Sequence, residues 1–192
     1  MEKPIIGLTG GMCSGKDSWA KFLMEQFDFD WQGTSDITRE YIKEHDLGEP
    51  TRDLVRETCT ELRATNGADY LAREALRRLD INKPRVVSGI YTVPEAEFIK
   101  SQSGKIINIR TDEDILFSRM TMRGRSGEKG IKEEFNRLIN NDLCATDTDQ
   151  RLVDVIQLAD IEIDGSVPIA NTEQCRRIAL QAFRALGISN VE

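Results

Sequence analysis

The chain is poor in the residues that build common nucleophile and metal sites. Its 192 residues hold one histidine, His45, and four cysteines, Cys13, Cys59, Cys144 and Cys175, with no Cys-x-x-Cys pair. A serine-hydrolase triad and a histidine metal cluster are thereby excluded, and the cysteine spacing suggests neither a zinc site nor a secreted disulfide framework. His45, in "YIKEHDLGEP", reads as a solvated group near a helix end. No apolar run approaches the roughly 18 residues that cross a bilayer. The start "MEKPIIGLTGG" passes into a strand and a glycine turn without the apolar stretch of a signal peptide. A cytoplasmic protein without a membrane partner is expected. Positive charge is also scarce: Lys and Arg number 26 against 33 Asp and Glu, and the net charge of −7 argues against a nucleic-acid partner.

What is present reads as one α/β domain over residues 1–192, since a chain of this length with 39% hydrophobic and 31% charged content can bury one such core. "PIIGLTG" is a short apolar run closed by glycine, the pattern of a buried parallel strand. "SGKDSWAKFLMEQF" then places Ala20, Leu23 and Phe27 on one helical face, and "FDFDWQG" is a second short strand. From Ser35 to Ile81 the chain turns helical. Leu54, Val55, Cys59 and Leu62, then Leu71, Ala75, Leu76 and Leu79, recur at helical spacing, with stops at Gly48, Pro50 and Gly67. "KPRVVSGI", "KIINIR" and "ADIEI" follow as strands between the helical "VPEAEFIKSQ", "DEDILFSRMTMRGR" and "IKEEFNRLINND". A last helix buries Cys175, Ile178, Ala179, Ala182, Phe183 and Leu186. The alternation predicts a five-stranded, mainly parallel sheet with helices on both faces.

Gly10, Gly11, Met12, Cys13, Ser14, Gly15 and Lys16 fill the first seven positions of G-x-x-x-x-G-K-[ST]. Glycines there let successive backbone N–H groups converge on phosphate oxygens, the following helix offers its positive end, and the lysine reaches the β and γ phosphates of a nucleotide. A strand before the pattern and an amphipathic helix after it are the context this mechanism requires. ATP and Mg²⁺ are the expected cofactors.

The eighth position departs from the pattern. Asp17 stands where a hydroxyl normally meets Mg²⁺, and Ser18 comes one residue late. Asp17 is open to three readings: a first-turn acid suited to the helix dipole, a weakened metal site, or a hard oxygen ligand that holds Mg²⁺ directly or through water. In phosphate-loop proteins another strand end carries an Asp that helps to hold the metal. Here that strand end, "RVVSGI", carries Ser88. A carboxylate and a hydroxyl could thus have exchanged places, and Asp17, Ser18 and Ser88 are the candidate metal residues.

With these features the whole chain resembles the P-loop nucleoside monophosphate kinases and the related dephospho-coenzyme A kinases, most of all an archaeal-type group related to adenylate kinase. "IGLTGGMCSGK" is similar to the opening of dephospho-coenzyme A kinases. "TSDITREYI" resembles the adenylate kinase segment in which an Asp, and an Arg three residues on, begin the acceptor helix; this implies that Asp36 and Arg39 face the acceptor. "VVSGIYTVPEAEFIK" resembles an Asp-Gly-Ile-Arg stretch before an acidic helix, with Ser88 in place of the Asp and Tyr91 in place of the Arg, a second contact to acceptor phosphate. Gly89 and Tyr91 join the acceptor side by this resemblance. "SRMTMRGRSGEKG" resembles the lid whose arginines close over the moving phosphate, which implies that role for Arg119, Arg123 and Arg125, with Arg137 returning from the lid toward the acceptor. "LADIEIDGS" resembles the strand and loop beside the adenine ring, which brings Gly165 to ATP.

The implied organisation is a P-loop core at 1–34, 83–118 and 143–192, a helical acceptor-binding insertion at 35–82 and a lid at 119–142. The implied reaction moves the γ-phosphoryl group of ATP to a (deoxy)nucleoside monophosphate or related small nucleotide. Lys16, Arg119, Arg123 and Asp36 are the catalytic candidates. Arginines suit the task on physical grounds, because the moving group is neutralised by forked contacts, and Arg119 and Arg123 share one helical face. A hydroxyl acceptor, as in dephospho-coenzyme A, would need Asp36 as base. The replacements at 88 and 91 also leave open a nucleotide-binding module without catalysis. The expected partner is a small nucleotide acceptor, bound by a monomer or homodimer.

Overall fold

In the computed structural model, residues 3–123, 131–143 and 151–188 are described. Five strands, β1 (Ile5–Thr9), β2 (Asp30–Gly33), β3 (Arg85–Ser88), β4 (Lys105–Arg110) and β5 (Ile161–Asp164), form one sheet in the order β2-β3-β1-β4-β5. Every neighbouring pair is parallel, so the expected mainly parallel sheet is wholly so. The helices are α1 (Lys16–Phe27), α2 (Thr34–Glu44), α3 (Arg52–Asn66), α4 (Tyr70–Arg78), α5 (Val93–Ser101), α6 (Glu113–Arg123), α7 (Lys132–Leu143), α8 (Leu152–Gln157) and α9 (Thr172–Ala185).

Period-two alternation divides the strand residues between two cores. Ile5, Val87 and Ile106 pack with residues of α2, α3, α4, α5 and α8 on one face of the sheet. Ile6, Leu8, Val86, Ile107, Ile109 and Ile163 pack with α1 and α9 on the other. A smaller cluster of Met12, Met120, Phe135 and Leu138 ties α6 and α7 to the loop after β1. Helix starts follow local chemistry: Thr51 accepts from the Leu54 amide, Asn171 accepts from Gln174, and Thr92 with Glu95 forms a capping box on α5.

Two expectations change in detail. The strand expected in "FDFDWQG" covers Asp30–Gly33 alone, because Phe29 is buried ahead of it against the Phe183 ring. Helix α8, only six residues long, carried too short an apolar pattern to be read from the sequence. No helix among the described residues is long and apolar enough to cross a membrane.

The strand order fixes where a ligand can sit. The chain leaves β1 for β2 on one side and later reaches β4 and β5 on the other, so the carboxyl ends of β1 and β3 flank the switch point of the sheet. In register, Leu8 pairs with Ser88, which sets the last residue of β3 beside the loop that follows β1.

Candidate active site

The loop between β1 and α1 depends on left-handed backbone. Gly10 has φ 140°, Cys13 61° and Gly15 93°. A Cβ on Gly10 would stand 2.6 Å from the Ile109 carbonyl oxygen, so only glycine fits there. Gly11 faces open space, Met12 is buried, and the Ser14 hydroxyl is buried without a partner among the described residues. No side chain caps α1, whose N-cap is Gly15. Its first amide groups are therefore left for an anion, as the glycine-rich pattern implies.

Two cavities meet at this loop. One, of about 920 Å³, is lined by Gly15, Ser18, Arg119 and Gly165 among others. The second, of about 530 Å³, runs between the loop and helices α2 and α3, past Arg39, Arg52, Arg56, Arg63, Gly89 and Tyr91. Cys13, Lys16, Asp17 and Arg123 line both. The Lys16 ammonium lies 5.2 Å from the centre of the Tyr91 ring.

Asp17 and Ser88 touch. Ser88 Oγ donates to Asp17 Oδ1 at 2.8 Å and accepts from Trp31 Nε1 at 3.0 Å. A Cβ on Gly33 would stand 2.6 Å from Asp36 Oδ2 and 3.4 Å from Ser88 Oγ, which puts the Asp36 carboxylate beside this pair. Asp36, expected on the acceptor side, lines neither cavity. The reason is local: Asp36 lies on the first turn of α2, with its carboxylate turned back to Gly33. No group of three or more His, Cys, Asp or Glu suited to a metal occurs among the described residues. The oxygens present still suit Mg²⁺, which takes one or two carboxylates and completes its shell with phosphate and water.

The arginines divide by role. Arg119 Nη1 donates to the carbonyls of Cys13 (3.3 Å) and Ser14 (3.2 Å), and Nη2 to that of Gly165 (2.7 Å). Its guanidinium thus fastens the phosphate loop to the end of β5 and lines the larger cavity, whereas Arg123 reaches both cavities. Arg137, expected on the acceptor side, stands exposed on α7, 3.7 Å from Glu134, and lines neither cavity. The buried stripe of α7 runs through Phe135 and Leu138, and Arg137 falls outside it. Arg125 lies outside the described residues.

Sequence reasoning missed Arg63. It falls four residues after Cys59, on the buried stripe of α3, and an arginine on an apolar stripe was the available signal. Arg63 Nε and Nη2 both donate to Glu95 Oε1, at 2.9 and 2.7 Å, within a pair almost closed to solvent. Glu95 Oε2 accepts from the Tyr91 and Thr92 amides. Beside it, burial pushes the Cys59 thiol up, so this cavity-lining cysteine stays protonated.

A parallel sheet of this order, with a glycine-rich loop leading from β1 into a helix, is a P-loop kinase fold. The chain belongs to the AAA domain family, whose model matches residues 6–142. A UPF0200 protein of Aeropyrum pernix is 29% identical over 126 residues, or 65% of this chain and 67% of that protein. A shikimate kinase from Acinetobacter baumannii, solved in complex with shikimate, superposes with a TM-score of 0.64 at 19% identity over 95% of this chain and 94% of its own. TT1252 from Thermus thermophilus gives 0.62 at 18% identity over 96% and 98%. A gluconokinase from Sinorhizobium meliloti 1021 gives 0.52 at 16% identity over 96% and 91%. At these identities the solved structures share its fold.

Proposed function

We propose that the chain is an ATP-dependent phosphotransferase that moves the γ-phosphoryl group to a nucleoside monophosphate or a related small nucleotide. One observation carries this reading. Two cavities, one on each side of the phosphate loop, share Cys13, Lys16, Asp17 and Arg123 as their common wall. A donor in the first and an acceptor in the second would meet at that wall. The kinase fold supports it, since a shikimate kinase and a gluconokinase superpose on the chain.

The roles follow from placement. The loop amides from Gly10 to Gly15 and Lys16 would hold the triphosphate, with Arg119 keeping the loop in shape and Gly165 beside the base. Asp17, Ser18 and Ser88 would hold Mg²⁺, which supplies charge neutralisation on the phosphate oxygens when bound. Arg123, shared by both cavities, is placed to neutralise the moving group. Residues 35–82 would form the acceptor-binding part and 119–142 the lid. The acceptor cavity is walled by guanidinium groups, and Asp36, the carboxylate a hydroxyl acceptor would need as base, does not line it. That favours an acceptor oxygen that is already anionic.

The test is ATP consumption across nucleoside monophosphates, dephospho-coenzyme A, shikimate and gluconate. A monophosphate that raises ADP production well above background is the expected result. Tight ATP binding without turnover on any acceptor would instead mark a nucleotide-binding module.

A further inference from the structure

The acceptor cavity contains an unsatisfied donor that the pattern of the fold did not announce. Arg63 turns the Nε and Nη2 edge of its guanidinium to Glu95. The group is planar and its donors are fixed in a fork, so Nη1 projects to the other side. That nitrogen is buried and has no partner among the described residues, while Arg63 itself is 7% exposed and lines the cavity. Arg39 Nη1, from α2 on the same cavity, is buried and unpartnered in the same way. Two cationic side chains on one cavity thus each keep a buried donor without an acceptor among the described residues, which is costly unless something accepts from it.

We infer that Arg63 and Arg39 together form an oxyanion seat in the acceptor cavity. The inference rests on the proposed kinase reading and specifies its acceptor: a molecule that brings a phosphate or carboxylate to α2 and α3. One of the Glu95 oxygens holds Arg63 in its fork and the other holds the Tyr91 and Thr92 amides, so the loop that carries Tyr91 and the arginine on α3 share one anchor. Arg63 acts here as a binding residue and Glu95 as its positioning residue.

The experiment first saturates the phosphate loop with Mg²⁺ and a non-hydrolysable ATP analogue, and measures that affinity by calorimetry. Failure at this stage would refute the nucleotide reading rather than the seat. Inorganic phosphate and acetate are then titrated separately into the loaded protein and into Arg63→Gln and Arg63→Lys. Phosphate or acetate affinity should fall about tenfold or more in Arg63→Gln, as expected for a lost charged hydrogen bond, and recover in part in Arg63→Lys, while analogue affinity holds. Stronger binding of phosphate than of acetate assigns a phosphate-bearing acceptor, and the reverse assigns a carboxylate. If Arg63→Gln does not fold, Arg63→Gln with Glu95→Gln leaves no unpaired buried charge and carries the same expectation. Anion affinity equal to that of the parent, or parallel loss of anion and analogue binding, would overturn the seat.

Discussion

Ser88 Oγ donates to Asp17 Oδ1 across 2.8 Å, and the Trp31 indole N–H donates to the same Ser88 oxygen. The contact joins the end of β3 to the first turn of α1, two places 71 residues apart in the chain. It has a geometric cause. Leu8 and Ser88 are register partners, so the residue that ends β3 must face the helix that starts after the phosphate loop. Trp31 occupies a lone pair of the serine oxygen and leaves its O–H to point at the carboxylate. A carboxylate and a hydroxyl thus sit against each other at the place where phosphate-loop enzymes pair a helix hydroxyl with a strand-end Asp.

An exchanged pair that holds Mg²⁺ makes Asp17→Ala raise the Mg²⁺ concentration needed for half-maximal ATP turnover, with excess Mg²⁺ restoring much of the rate. Asp17→Ser with Ser88→Asp should recover more activity than Asp17→Ser alone, because touching sites do not add. Tryptophan fluorescence offers a readout apart from turnover, since Trp31 is bonded to Ser88. A pure helix-dipole role predicts otherwise: about 0.3–1 kcal/mol of stability lost and no change in Mg²⁺ dependence.

Lys16→Ala should reduce turnover by about 100-fold or more, in line with the removal of one transition-state donor. Its side chain stands at the wall shared by the two cavities, outside the hydrophobic clusters, so the fold should survive. Circular dichroism and turnover measured on the same sample decide it. Parent-like turnover would remove the phosphate loop from the mechanism.

Arg119→Ala separates a loop-fastening role from a transition-state role. Three donations to the carbonyls of Cys13, Ser14 and Gly165 disappear in the variant. Affinity for ATP should fall about tenfold, at roughly 1.5 kcal/mol for charged hydrogen bonds lost, with the acceptor KM little changed. A large fall in kcat at unchanged ATP affinity would return Arg119 to the transferred phosphate.

The sheet was legible because β1, β3 and β4 hold short apolar runs next to a glycine or a charged turn, and the phosphate loop because its glycines and lysine have one joint use. The site was legible only in part. Arg39, Tyr91 and Gly89 line the second cavity and Asp36 does not, since one helical turn decides whether a first-turn side chain faces the cavity or the preceding glycine. Arg119 and Arg123 share a helical face, yet their four-residue offset is enough to set one on the loop carbonyls and the other between the cavities. Arg63 was hidden for a different reason. Its partner Glu95 lies 32 residues on, in another helix, and a buried ion pair between distant elements leaves no local pattern.

The last expectation concerns acid stability. Glu74 on α4 accepts from Arg77 Nε and Nη2 at 2.7 and 2.8 Å and from Arg78 Nε at 2.8 Å, and Arg78 extends the network to Glu40 on α2. The bonds from Arg77, then those from Arg78, outweigh partial desolvation and hold the Glu74 carboxyl at about 2 against an ordinary 4.5. A carboxyl lowered on folding stabilises the folded state fully above the ordinary value, and that contribution is lost as the pH falls through the folded one. Solvent screens this exposed network, so about 1 kcal/mol is expected at neutral pH. Glu74→Gln should therefore lower Tm at pH 7 by about 2–4 °C. The gap should narrow once the pH drops below about 4.5 and close toward about 2, the two values that bound the titration. Thermal melts of both proteins from pH 7 to pH 3 test this, and a gap that stays constant down to pH 3 would show that the Glu74 charge contributes nothing to holding α4 against α2.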